Sequence, residues 1–387
     1  PFPPIHFQTE NAEIQMNKKT FFISVIVVFS LGTLIFFGEV FLRLRRHELL
    51  DFDNYFVKFR KTKAATCLVT FDETLGWVSE SNVTERRNNY RTRVTTRDHG
   101  IRINSVQNKV DSKLPPILAV GDSFVFGDQA SNEESWPSHL EAKSGTRVLN
   151  AGMCGYGMDQ SYLRAKQLVD IYQPSTLIYS FTSYDIPRSR DKFIADTFAD
   201  DPKPYFETEN GVFELKGVPL PKPKDIHEMN LPFLHRVVGK SAFFSFLMER
   251  LAPNYWWSIK LPDRKVASTH DEPEAVSCHI VKLISEMSRE KNIRTILLPQ
   301  PFYELDPADG QVLEKVVACA KENSLEVLDI TEALREAKSN RKAEFDTFYF
   351  SYPNSDGTVG HGHMTNAGNN FVAEQIHNYL NPKVTQN

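Results

Sequence analysis

Ser123 stands in Gly121-Asp122-Ser123, directly after the apolar run Ile117-Leu118-Ala119-Val120 and ahead of a second glycine, Gly127. The apolar run suits a buried parallel strand. The carboxyl end of such a strand is where open α/β sheets place their ligands. A hydroxyl there, beside a glycine that lets backbone and substrate approach closely, is a candidate nucleophile. The same tripeptide also reads as a turn with a helix N-cap. Three further blocks carry candidate chemistry. Asn150–Gly157 (NAGMCGYG) offers glycines at a strand-to-helix junction, suited either to backbone amides aimed at an anion or to a tight turn. Phe181-Thr182-Ser183-Tyr184-Asp185 puts polar side chains at another strand end, or forms a capped loop. Gly360–Asn369 (GHGHMTNAGN) holds His363, a candidate general base because imidazole titrates near neutral pH. His361 and His363 also allow a metal-ligand reading. With no Cys or carboxylate at a familiar zinc spacing, no metal site is assigned.

The elements that must position these residues follow from hydrophobic patterning. Strands are expected at Ile117–Val120, Arg147–Asn150, Thr176–Phe181, Arg294–Leu298 and Glu326–Asp329. Helical patterns occupy Ser135–Lys143, Met158–Tyr172, Glu274–Lys291, Asp309–Asn323 and Asn366–Leu380. Short apolar strands spaced by helices predict a parallel sheet with helices on both faces, joined by right-handed crossovers. Between Ile186 and Asp271 the alternation stops. Here Asn210-Gly211, flanked by Tyr-Phe-Glu-Thr and Val-Phe-Glu-Leu, reads as a hairpin. Leu231–Trp257 is apolar and aromatic at helical spacing, either a lid or acyl-binding wall or an excursion with its own small core.

The 387 residues exceed the usual single-domain size, so one large domain with appendages is expected. A net charge of −4 gives no basic footprint for nucleic acid. The four cysteines (Cys67, Cys154, Cys278, Cys319) are widely spaced and establish neither a zinc site nor a disulfide framework, which leaves the redox compartment open. Thr20–Gly38 is a charge-free run long enough to span a bilayer, and no small-residue cleavage site follows it, so an uncleaved single-pass anchor is expected. Lys18 and Lys19 precede the run, whereas Arg43, Arg45 and Arg46 follow it. Read literally, the positive-inside rule leaves the large domain in the cytoplasm. Thr70–Asn104, rich in Thr, Val, Arg and turn residues, suggests a small β appendage.

The order GDSF, NAGMCGYG, SYD and HMTNAG, with Leu75-Gly76-Trp77 before it and Trp136-Pro137 within it, resembles the SGNH (GDSL-type) hydrolase superfamily, and more narrowly its membrane-anchored bacterial members. The resemblance covers roughly Phe71 to Leu380. It implies a three-layer, flavodoxin-like α/β fold with a five-stranded parallel sheet. The implied organisation is a tail over 1–19, an anchor over 20–42, a connector and β appendage over 43–110, and a hydrolase domain over 111–381 with an insertion at about 188–270. Ser123 becomes the nucleophile, with its own N–H and that of Gly155 as oxyanion donors, and His363 the base. Tyr184 falls where the family has a donor asparagine and is the third oxyanion-hole candidate, through a phenol O–H of different length and direction; Gly360 falls where the family has an aspartate. Asp356, seven residues before His363, is the candidate to orient the imidazole; otherwise the site is a Ser–His dyad. Asp122, Asn150 and Asp185 are the polar residues expected to face substrate.

The implied activity is a cofactor-free serine esterase or O-acyltransferase acting on acyl, chiefly acetyl, esters of envelope glycans or on small acyl esters. A degenerate glycan-binding domain without turnover is the alternative. The family context places the catalytic domain in the periplasm, against the three arginines.

Overall fold

The structure is a computed structural model and describes residues 18–45, 67–87, 92–193, 202–222, 233–257, 268–354 and 357–382. The chain divides into two compact units, Pro1–Lys58 with Leu231–Ile259, and Phe59–Asn230 with Lys260–Asn387.

The larger unit opens with two small antiparallel pairs, β1 (Val69–Asp72) with β2 (Gly76–Ser79) and β3 (Arg86–Arg87) with β4 (Arg93–Val94). The central sheet begins with β5 (Ile117–Val120), β6 (Val148–Asn150) and β7 (Thr176–Phe181). After the β8 (Tyr205–Glu209) and β9 (Val212–Lys216) hairpin, it is completed by β10 (Arg294–Pro299) and β11 (Glu326–Val327). All five central strands are parallel, in the order β11-β10-β7-β5-β6.

Each buried strand feeds two cores, because successive side chains point to opposite faces. Leu118, Val120, Leu177 and Tyr179 join one layer with helices Met158–Tyr172, Pro273–Lys291 and Pro307–Glu322. Ile117, Ala119 and Ile178 join the other with helices Trp136–Ser144, Thr331–Asn340 and Asn366–Leu380. The expected three-layer sheet fold is therefore the observed one. Asn210 and Gly211 turn the β8–β9 hairpin with φ of 53° and 80°, the positive values that an Asn-Gly hairpin turn uses.

Three features depart from the sequence expectations. Helix Thr331–Asn340 follows β11, where no helix was expected. Its polar composition hides the few buried positions, Leu334 and Ala337. The segment around His363, for which no strand was expected, is a hairpin of β12 (Tyr349–Pro353) and β13 (Val359–Met364). Lastly, the cysteines pair fully, Cys67 with Cys154 and Cys278 with Cys319. Linear spacing could not foresee pairs 87 and 41 residues apart.

Between β7 and β8, Lys203 enters the core. Its ammonium meets the Asp159 carboxylate and donates to the carbonyls of Asp191 (3.1 Å) and Pro204 (2.8 Å), and both side chains are fully buried. Burial pushes the Asp159 carboxyl up to about 6, and the Lys203 charge opposes that shift. Lys203→Met is expected to lower unfolding free energy by about 3–5 kcal/mol, since it strands a buried acid. Lys203→Met combined with Asp159→Leu is expected to recover most of the loss, as read by urea denaturation.

The smaller unit holds the helix Lys18–Arg45, whose apolar stretch has a mean hydropathy of 2.5 and is unburied, and the helices Phe233–Val238, Ala242–Leu251 and Pro253–Trp257. By length and composition the first helix could span a membrane. It extends past the expected 20–42 at both ends.

Candidate active site

Gly121 ends β5, and the chain turns at once into a single helical turn, Ser123–Phe126. Asp122 caps that turn by accepting the Phe124 N–H at 2.9 Å. The helical turn stops at Gly127, so the chain comes back on itself and the Asp128 N–H donates to the Ser123 carbonyl at 3.0 Å. Residue 128 is thereby returned to the side of residue 123. Both side chains are buried.

Arg102 holds this turn in place. Its guanidinium is buried and donates to the carbonyls of Phe126 (2.7 Å), Gly127 (2.7 Å) and Ala130 (2.6 Å). Burial pulls the guanidinium down to about 10, and the nearby charge of Asp128 opposes the shift. It remains a cation at neutral pH. Sequence reading passed over Arg102 because a lone arginine in a polar β segment looks like a surface residue.

The second block lies against the nucleophile turn. Asn150 Nδ2 donates to the Phe126 carbonyl (3.2 Å), while its Oδ1 accepts the Gly152 N–H (3.2 Å). Asn150 thus ties the two turns together through both ends of its side-chain amide. A side chain at Gly152 would put its Cβ 2.3 Å from the Phe126 nitrogen, so only glycine permits this approach. Gly155 has φ of +77°, a conformation that other residues adopt at a cost. The β appendage clamps the same loop. Trp77 Nε1 donates to the Cys154 carbonyl (3.0 Å), the Tyr156 hydroxyl donates to the Trp77 carbonyl (2.6 Å), and Cys67 is bonded to Cys154. Neither the Ser123 nor the Gly155 main-chain N–H has a hydrogen-bond partner among the described residues.

His363 comes from β13. Its Nε2 lies 2.8 Å from Ser123 Oγ, a hydrogen bond between residues 240 apart in sequence. The strand is fixed from behind, where the Trp136 N–H donates to Asn369 Oδ1 (3.2 Å) and the Thr365 side chain caps the last helix. The other imidazole nitrogen, Nδ1, faces Asp128 Oδ2 at 3.7 Å. That distance is an ion-pair contact, slightly long for a hydrogen bond. Asp356 lies outside the described residues. Gly360 is in β13, where a Cβ would stand 2.5 Å from the Tyr352 ring, so no aspartate fits there unless that ring moves. Sequence reasoning did not consider Asp128. The available signal was Gly127, which ends the turn and sends the next side chain back toward Ser123.

The third block is split. Asp185 is buried, accepts the Thr182 N–H (2.8 Å) and pairs with Arg188 (3.0 Å). Burial and the neighbouring Asp122 push Asp185 well above the usual carboxylate range, and burial raises Asp122 as well. Their polar atoms are engaged with protein partners behind the serine. Tyr184, by contrast, is 57% exposed, and its ring packs on Phe302 at 4.6 Å. Phe302 meets Phe124 (5.3 Å), and Phe124 meets the His363 ring (5.2 Å), which forms a continuous aromatic wall to the imidazole.

The sheet order is flavodoxin-like, with the serine and the Thr182–Asp185 loop at the ends of adjacent strands β5 and β7, where the strand order reverses. The histidine is delivered just before the last helix, the arrangement that the SGNH (GDSL-type) resemblance implies. The chain matches no protein-family model and no curated protein. Among solved structures it is similar to a protein described as a G-D-S-L-family lipolytic protein of Desulfitobacterium hafniense DCB-2 (16% identity, 68% of this chain and 98% of that one, TM-score 0.34). It is also similar to a lipase/acylhydrolase from Enterococcus faecalis (13%, 68% and 95%, 0.35). A third is the acetylxylan esterase Axe2 of Geobacillus stearothermophilus (15%, 69% and 94%, 0.36).

Proposed function

We propose that the protein is a membrane-anchored serine esterase or O-acyltransferase that uses Ser123, His363 and Asp128 on acyl esters of cell-envelope glycans. The observation that carries this reading is the 2.8 Å contact between Ser123 Oγ and His363 Nε2. In the proposed reaction His363 takes the Ser123 proton as Oγ attacks the ester carbonyl carbon. The oxyanion is held by the N–H groups of Ser123 and Gly155. The carbonyl–alkoxy bond then breaks, His363 returns the proton to the leaving alcohol, and an acyl-enzyme remains. Water or an acceptor hydroxyl releases the acyl group in the reverse sequence. Asp128 holds the imidazole and stabilises its cation, and Arg102 is a positioning residue for the turn that carries Asp128. A fluorophosphonate probe tests the nucleophile, with covalent labelling of Ser123 in the folded protein expected. Comparing acetylated with deacetylated glycan as substrate, with and without a glycan acceptor, separates hydrolysis from transfer.

Tyr184 is assigned to the substrate wall instead of the oxyanion hole, on its exposure and its packing against the Phe302 ring. Tyr184→Phe is expected to leave kcat within about threefold, whereas Tyr184→Ala raises KM. Loss of a true oxyanion donor would cost about 10²–10³ in kcat in the phenylalanine variant.

Complete pairing of the cysteines supports an exported catalytic domain, since disulfides persist in oxidising compartments. This bears directly on the orientation conflict posed by Arg43, Arg45 and Arg46. Full-length protein from membranes is expected to resist a thiol-reactive maleimide until reduced, then to take up four adducts, one for each cysteine. Four adducts without reduction would place the domain on the cytoplasmic side.

A further inference from the structure

We infer that residues 233–257 form a second membrane-contacting element, an interfacial platform locked onto the anchor helix through Glu39 and seated on an anionic phospholipid surface. The inference rests on the anchor reading above.

The platform grips the anchor within little more than one helical turn. The Glu39 carboxylate accepts the N–H of Ala242 (3.0 Å), the N–H of Phe243 (2.8 Å) and the hydroxyl of Ser241 (2.7 Å). Ser241 Oγ in turn accepts the Phe244 N–H (3.1 Å). The first three N–H groups of helix Ala242–Leu251 are thus satisfied, two of them by a carboxylate from another helix more than 200 residues away. The negative charge lies at the positive end of that helix dipole. Arg43 joins the clasp through its Nε to Glu39 (2.6 Å) and its Nη2 to the Lys240 carbonyl (2.9 Å). A Cβ at Gly38 would stand 2.5 Å from the Phe243 ring, so that ring packs directly against the anchor backbone there.

The position of this clasp identifies the occupant. It falls at Gly38–Arg43, where the charge-free run of Thr20–Gly38 ends. For a spanning helix that level is the hydrocarbon–headgroup boundary. The platform carries the side chains that this layer favours. Val237 (58%), Leu251 (74%) and Tyr255 (55%) are exposed, as is Phe244. Trp256 is buried against His235 (4.5 Å) and ties the outer helices together. Residues 39–45 and 233–257 hold five basic and two acidic side chains, in a chain whose net charge is −4. Apolar side chains flanked by lysine and arginine suit anionic headgroups over a neutral surface.

The test uses the full chain reconstituted in vesicles of phosphatidylcholine and phosphatidylglycerol. Environment-sensitive labels are placed one at a time on Leu251→Cys and Val28→Cys, the latter in the middle of the apolar run. Quenching of the Val28 label by deep-chain spin-labelled lipid reports the anchor. The Leu251 label is expected to be quenched at least twofold more by headgroup-proximal than by deep spin labels, and more strongly with phosphatidylglycerol than without. Glu39→Gln is expected to leave the Val28 signal unchanged and to halve the Leu251 quenching. A Leu251 label fully open to aqueous iodide while Val28 is deep overturns the platform and spares the anchor. A Leu251 label shielded from both iodide and lipid indicates a protein partner and also overturns it. Failure of Val28 to reach the deep quencher overturns the anchor reading itself.

Discussion

Ser123→Ala is expected to remove ester turnover almost entirely, by about 10⁶ in kcat, the loss seen when the nucleophile leaves a triad. The reason is local. Ser123 Oγ is the atom that His363 Nε2 addresses at 2.8 Å, and the turn Ser123–Phe126 brings no second hydroxyl to that place. The variant keeps the main-chain N–H of residue 123 and that of Gly155. Residual catalysis of about 10³–10⁴ over water is therefore expected from the oxyanion hole and binding alone. Stability should change by no more than about 1 kcal/mol, because the substitution removes one hydrogen bond and leaves the aromatic wall intact. Ester turnover, probe labelling and the unfolding midpoint, measured on the same preparation, check all three points. Wild-type protein that binds acetylated glycan but turns over no ester would establish the degenerate reading instead.

Asp128→Asn is expected to lower kcat by about 10²–10⁴ with little change in KM. Removing the charge of the orienting acid costs about 10⁴ in serine proteases, where the amide favours the wrong imidazole tautomer. The lower bound reflects the 3.7 Å separation between Asp128 Oδ2 and His363 Nδ1, longer than a made hydrogen bond. Catalytic contacts often shorten once substrate is bound. Asp128 is well placed for such closure, being buried and bonded through its backbone to the Ser123 carbonyl. Asp356→Asn is the control, expected to stay within about threefold of wild type. A large effect at Asp356 with a small one at Asp128 would reverse the assignment. Gly360→Asp should not rescue Asp128→Asn, because its Cβ would run into the Tyr352 ring.

The pairing of Ser123 with His363 shows how far local signals reach. Each residue is marked by its own neighbourhood, the serine by an apolar strand and two glycines, the histidine by a cap and a helix. Asp122 and Asn150 were legible as members of the site's blocks but not in their roles. Both point into the scaffold, where Asp122 caps the nucleophile turn and Asn150 bonds Phe126 and Gly152. A polar side chain at a strand end can face substrate or backbone, and only packing decides between them. Tyr184 and Asp185 are adjacent, yet one is exposed and the other buried.

Legible along the chain were the alternation of strands and helices apart from Thr331–Asn340, the five parallel strands, the Asn-Gly hairpin and the apolar N-terminal helix. All of these follow from short-range periodicity, turn chemistry and the hydrophobicity of contiguous segments. Tertiary structure alone decided that Asp128 faces the imidazole, that Arg102 braces the nucleophile turn, that the four cysteines form two pairs, and that Glu39 caps a helix near residue 242. Each of these joins side chains through space. Electrostatics and desolvation act over ångströms between groups that the folded backbone makes neighbours, and distance along the chain carries no record of that.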